Sequence, residues 1–303
     1  MDSTKIKSWI RVFRLPFHLA LILPFILGAI LAAWSGYSID LTVLVLSTFS
    51  LFLMTSACFI SNEYFDFKTD LINKTFNRFT GGSRVLPDSG LERKDLRKVI
   101  WLCIFFAGIM GALLQFHFKT GDLTLLLGAS GMLLAYAYTA KPIRLAYRGL
   151  GEIAIGIGVG WLPLISGYYI QTQHLDILPT IIALPYVAAC ILLIWVNEFP
   201  DFESDKKSGK RNLVVILGRE KSAVVHTLLV ALMWLFFAPV FYIKPGLLNL
   251  LIMIPILLSA LNIKDMTNSG WKDREKMEES CKRTIMYAVL MPVIYGIIFF
   301  FKI

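Results

Sequence analysis

Two short stretches carry side chains at spacings that could do chemistry, and they repeat one pattern. NEYFDFKTD holds Asn62, Glu63, Asp66 and Asp70; NEFPDFESD, 135 residues later, holds Asn197, Glu198, Asp201 and Asp205. In each, an Asn and two Asp recur at i, i+4 and i+8, which on a helix lines them along one face about 6 Å apart. Aligned carboxylates repel one another unless a cation lies between them. Carboxylate, amide carbonyl and water are the hard oxygen donors that Mg2+ prefers, and Mg2+ commonly bridges one or two carboxylates to a phosphate. A solvated helix end would account for one such stretch. Two copies sharing Asn, Glu, Asp, Phe and Asp at the same offsets point instead to a composite site.

The elements that must position these faces follow from composition. The chain is 56% hydrophobic and 17% charged, with a mean hydropathy of +0.66, against about 45–50% and 25% in soluble domains. Apolar runs long enough to span hydrocarbon as helices cover about 15–36, 41–61, 99–118, 123–140, 150–170, 177–196, 223–243, 246–263 and 285–301. This predicts an all-α, multi-pass membrane bundle of nine transmembrane helices, two four-helix pseudo-repeats plus one, with 1–303 a single membrane domain. The first run lacks a small-x-small cleavage site and reads as a retained helix rather than a signal peptide. Each acidic stretch directly follows an even-numbered run. The four cysteines and four histidines have no metal-ligand spacing.

The formal charge of +9 is distributed by topology rather than for nucleic acid. Of the 30 Lys and Arg, all but Lys119, Lys244 and Lys302 fall on the N-terminal segment or the even connections. The positive-inside rule then puts the N-terminus in the cytoplasm, the C-terminus outside and both acidic stretches at the cytoplasmic face of the cell inner membrane, in contact with the lipid bilayer. Glu152, at the start of the fifth run, is either a site group or a helix-start residue favoured by the dipole. Gly156 and Gly160 predict close helix packing.

Basic residues beside the acidic faces (Arg78, Arg84, Lys141, Arg144, Lys206 and Arg211) could take the charge of a diphosphate held by Mg2+. Gly81 and Gly82 could wrap backbone N–H groups around an anion or form an ordinary turn. Metal and basic groups that stabilise a departing diphosphate allow an allylic C–O bond to ionise, and a Phe- and Tyr-rich bundle offers a dry cavity for the carbocation.

The motifs resemble those of the UbiA-type intramembrane prenyltransferases over essentially the whole chain. That family's NDxxDxxxD matches Asn62, Asp66 and Asp70, with Glu63 in place of the usual Asp, and its DxxxD matches Asp201 and Asp205. The resemblance implies nine helices, Mg2+ and polyprenyl diphosphate bound by Asn62, Asp66, Asp70, Asn197, Asp201 and Asp205, and transfer of the prenyl group to an aromatic acceptor. GGSRVLPDSGL, YTAKPIRLAYRGLGE and NEFPDFESDKKSGKRNLVVILG are similar to the branch that prenylates 1,4-dihydroxy-2-naphthoate in menaquinone biosynthesis. Lys141 stands where that branch often has Gly. Tyr138 and Lys141 approximate a Tyr and Lys pair that contacts substrate in some members. Other acceptors (4-hydroxybenzoate, homogentisate or a glyceryl phosphate lipid) remain alternatives, and a secondary transporter is the reading from another class. A CDP-alcohol phosphatidyltransferase would need a contiguous DGxxAR-type string, which is missing.

Overall fold

The structure, a computed structural model, describes residues 3–72, 85–88 and 91–301, without the side chains of 3–6, 68–72, 87 and 88. Among the described residues all regular structure is helical. Among the described residues, eight helices are long and apolar enough to cross a membrane: α1 (Lys7–Trp34), α2 (Leu41–Ile72, apolar through Phe67), α3 (Arg93–His117), α5 (Gly151–Thr172), α6 (Ile177–Lys207), α7 (Arg219–Ile243), α8 (Leu247–Thr267) and α9 (Arg274–Phe300). α4 (Thr124–Thr139), at 16 residues, occupies the fourth expected run. It is about 24 Å long, shorter than a hydrocarbon core of about 30 Å.

The helices carrying the acidic stretches are the long ones. α2 has 32 residues and α6 has 31, so each is about 46–48 Å long and overshoots the hydrocarbon by several turns. Hydropathy marks only their embedded parts; the overshoot holds both motifs in helical register. α9 likewise starts in charged residues, well before the apolar run at 285–301. Its start is fixed by Asp273, whose side chain accepts from the N–H groups of Glu275 (2.9 Å) and Lys276 (3.3 Å), satisfying donors that a helix start leaves free. α1 is interrupted by a 3-10 turn, Leu15–His18, where Arg14 adopts φ 47° ahead of Pro16.

Packing centres on α1, α5, α6, α7 and α9, whose buried side chains include Leu31, Leu164, Tyr186, Met233 and Tyr295. Small residues let the axes approach. A Cβ on Gly160 would lie 2.7 Å from Val187 Cα, and one on Gly156 2.9 Å from Ile191 Cδ1, so the glycine spacing of α5 serves contact with α6. The other face of α5 meets α1 more closely still: a Cβ on Gly167 would lie 1.9 Å from the Phe25 carbonyl oxygen. α2, α3 and α4 flank this core on one side. Large apolar groups point outward, among them Trp101, Phe105, Leu133, Val224 and Leu228. A water-soluble surface does not carry such a density of exposed apolar side chains; with the spanning helices it defines an integral membrane protein.

Candidate active site

The overshooting ends of α2 and α6 meet at one end of the bundle. On α2, Asn62 Oδ1 accepts a hydrogen bond from Thr139 Oγ1 at the end of α4 (3.0 Å), and Asp66 Oδ1 accepts one from Tyr147 OH (3.1 Å). Tyr147 lies in a 3-10 turn after α4, entered through Arg144 at φ 50°, and the Arg144 guanidinium sits 3.3 Å from the Tyr147 ring centroid. The connection that follows α4 therefore supports the first acidic face. It brings a cation with it, stacked on an aromatic ring.

The second face is completed by a chain reversal. α6 ends with the N–H of Lys210 bonded to the Asp205 carbonyl (2.9 Å) and that of Gly209 to the Lys206 carbonyl (3.3 Å), the hydrogen-bond pair of a Schellman cap, with Gly209 at φ 75°. This turn returns Lys210 over the helix it has just left. Lys210 Nζ is 3.5 Å from Asp205 Oδ2, and Asn212 Nδ2 donates to the same oxygen at 2.7 Å. Asn212 also caps the short helix Leu213–Leu217, accepting from the N–H of Val215 at 2.8 Å.

Lys210 joins the two faces. Burial disfavours its charge, but the carboxylates of Asp205 and Asp66 outweigh that and hold its pKa well above the ordinary lysine value. It is therefore an ammonium throughout the neutral range. Asp66 in turn lies within the electrostatic reach of Asp205, Lys210 and Arg144. One cation thus lies within electrostatic reach of both motifs, which are 135 residues apart in the chain.

The remaining expected residues divide by position. Asp201 and Asn197 are half-buried on α6, one and two turns before Asp205, and Tyr138 and Arg144 are half-buried beside Lys210 and Tyr147. Lys141, Lys206 and Arg211 are exposed. The side chain of Asp70, together with Arg78, Arg84, Gly81 and Gly82, lies outside the described residues. Glu63 and Glu198, each following the motif Asn, sit about 100° round the helix from the line of the acidic faces. Glu63 is buried and paired with Arg14, and Glu198 is buried close to Glu152.

Sequence reasoning missed Lys210 and Asn212, and it placed Tyr147 at the cytoplasmic mouth without giving it a role in the site. Lys210 is one of several bases in KKSGKR, and only the turn at Gly209 selects it. SGK at the end of a long helix was the available signal.

The donors fit a hard cation. Asn197 Oδ1 is buried with no hydrogen-bond partner, an unusual state for an amide oxygen and one that a metal or its water would relieve. Among the described residues no three His, Cys, Asp or Glu side chains lie close enough to enclose an ion by themselves. Mg2+ keeps waters and completes its shell with substrate phosphates, so it does not require a closed cage of side chains. Asn62, Asp66, Asn197, Asp201 and Asp205 are the described residues that could hold it.

At one end of this membrane bundle, acidic helix ends thus lie beside half-buried bases, Lys210 and Arg144. The model of the UbiA prenyltransferase family matches residues 21–287, and the chain belongs to that family. It is 28% identical over 208 residues to the 1,4-dihydroxy-2-naphthoate octaprenyltransferase of Bacillus subtilis, covering 69% of this chain and 64% of that one. It is similar in fold to a solved digeranylgeranylglyceryl phosphate synthase, with a TM-score of 0.68 at 19% identity over 98% of this chain and 99% of that one. It is also similar in fold to a UbiA homologue from Archaeoglobus fulgidus bound to DMAPP and Mg2+, with a TM-score of 0.66 at 17% identity over 98% and 100% of the two chains.

Proposed function

We propose that this protein transfers a polyprenyl group from its diphosphate to an aromatic acceptor, with 1,4-dihydroxy-2-naphthoate as that acceptor. The observation that carries the reading is the Lys210 ammonium 3.5 Å from Asp205 of the second acidic face, with Asp66 of the first within its electrostatic reach, because a site holding both cation ligands and a fixed ammonium suits a diphosphate. Asn62, Asp66, Asp70, Asn197, Asp201 and Asp205 hold Mg2+ and the diphosphate. Bound Mg2+ would neutralise charge developing on the leaving group. Lys210 and Arg144 fix the non-bridging oxygens, with Arg78, Arg84, Lys141, Lys206 and Arg211 further out. Tyr138 and Tyr147 line the site where the allylic C–O bond breaks and present ring faces to the cation. The acceptor carbon then bonds to the prenyl carbon and loses its substituent, which for this naphthoate is the carboxylate, released as carbon dioxide.

The naphthoate assignment is supported by the Bacillus relative's name and by the resemblance of YTAKPIRLAYRGLGE. The basic residues gathered at the site end support a cytoplasmic active site in the cell inner membrane, with the N-terminus inside and the C-terminus outside. Purified protein in lipid nanodiscs, given polyprenyl diphosphate and Mg2+, should prenylate dihydroxynaphthoate in preference to 4-hydroxybenzoate, homogentisate and a glyceryl phosphate lipid. Preference for another of these acceptors would refute the naphthoate assignment. No product with any of them, alongside solute uptake by proteoliposomes, would favour a transporter.

A further inference from the structure

One segment, residues 144–152, touches both acidic faces, and its last residue is not used by the proposed reaction. Tyr147 holds Asp66 of the first face. Five residues on, Glu152 is 1% exposed, and its Oε1 accepts a hydrogen bond of 2.6 Å from the N–H of Leu213. Leu213 directly follows Asn212, the residue that holds Asp205 of the second face. Between the two, Gly149 at φ 70° lies against the same loop. A Cβ there would come within 2.9 Å of Ile216 Cδ1 and 3.6 Å of the Arg211 carbonyl oxygen.

We infer that Glu152 is a positioning residue, a latch at the start of α5 that holds residues 208–218 down over the site so that Lys210 and Asn212 reach Asp205. A buried carboxyl group is costly unless hydrogen-bonded; beside the Glu198 carboxyl, Glu152 gives its Oε1 to a backbone N–H that the first turn of Leu213–Leu217 leaves without a helical partner. Because Tyr147 and Glu152 belong to one short segment, movement of either acidic face is felt at the other. With the latch released, the loop retains its own cap and turn but must be ordered by the ligand at each binding event. The consequence falls on affinity for the diphosphate rather than on the rate once it is bound.

This role rests on the diphosphate reading for its kinetic effect but not for its structural one, and the test separates them. In nanodiscs without substrate, Glu152→Ala should raise amide exchange of residues 208–218 by about 10- to 150-fold, as expected for losing one hydrogen bond to a charged group, with exchange in the membrane-embedded part of α6 unchanged. KM for the prenyl diphosphate should rise by a similar factor, with kcat at saturation within about twofold. Glu152→Gln keeps an acceptor oxygen and should restore both. Gly149→Ala, wedging the loop from the second contact, should raise exchange in the same residues and serves if Glu152→Ala does not fold. Unchanged exchange in Glu152→Ala would overturn the latch, and so would equal damage from Ala and Gln, since charge rather than the hydrogen bond would then be what matters. If the wild type turns over no prenyl diphosphate, the diphosphate reading fails while the exchange result still decides the latch.

Discussion

Asn212 has two jobs that substitutions can separate. Its Oδ1 caps Leu213–Leu217 through Val215, and its Nδ2 fixes Asp205 at 2.7 Å. Loss of a cap costs about 1 kcal/mol, and loss of a hydrogen bond to a charged group about 1.5–3 kcal/mol. Asn212→Ser keeps a capping oxygen on a side chain too short to reach Asp205, so it isolates the second term. If that bond pre-orders Asp205 for the metal, its loss converts to about 10- to 150-fold weaker Mg2+ dependence, at tenfold per 1.4 kcal/mol. Asn212→Asp keeps the cap but sets a second carboxylate against Asp205, with only Lys210 between them, and should be worse than Ser. The assay is the Mg2+ concentration giving half-maximal prenyl transfer, measured beside thermal unfolding in the same nanodiscs. Ser and Asp variants with wild-type Mg2+ dependence would refute the idea that Asn212 prepares Asp205. An Ala variant that loses stability alone would reduce the residue to a cap.

Other substitutions probe the remaining contacts. Tyr147→Phe removes the hydrogen bond to Asp66 but keeps the ring under Arg144; a net loss of about 0.5–1.5 kcal/mol should raise KM for the diphosphate several-fold, with folded yield unchanged on size exclusion. Asp66→Ala or Asp201→Ala should abolish turnover with no loss of folded protein, as judged by the same chromatography and a turnover assay. Chelation by EDTA should stop the reaction and added Mg2+ should restore it, scored by product formation. Gly167→Val forces side-chain atoms into the Phe25 carbonyl, 1.9 Å from where the Cβ would sit, and should cost more than the usual 1–3 kcal/mol of overpacking, seen as loss of monodisperse protein.

Much of this molecule was legible as sequence because the signals are short-range. Each spanning helix announces itself by the hydropathy of its own residues. Asn62 and Asp66 share a face, as do Asn197, Asp201 and Asp205, because spacing within a helix fixes direction. Gly156 and Gly160 announced a close contact for the same reason, and α6 proved to be its partner. Helix ends were less legible, since α2, α6 and α9 continue past the hydrocarbon in polar residues that hydropathy does not mark.

Sequence alone determined the membrane bundle, the family and the two acidic faces, all properties of residues within a few turns of one another. Only the tertiary structure decided which cation serves those faces. Among the bases near the second motif, the reversal at Gly209 turns Lys210 inward and leaves Lys206 and Arg211 exposed. Likewise, only the packing of the α4–α5 connection under both faces gives Tyr147 to Asp66 and Glu152 to Leu213. Such pairings depend on which elements become neighbours, and burial of apolar surface across the whole bundle settles that.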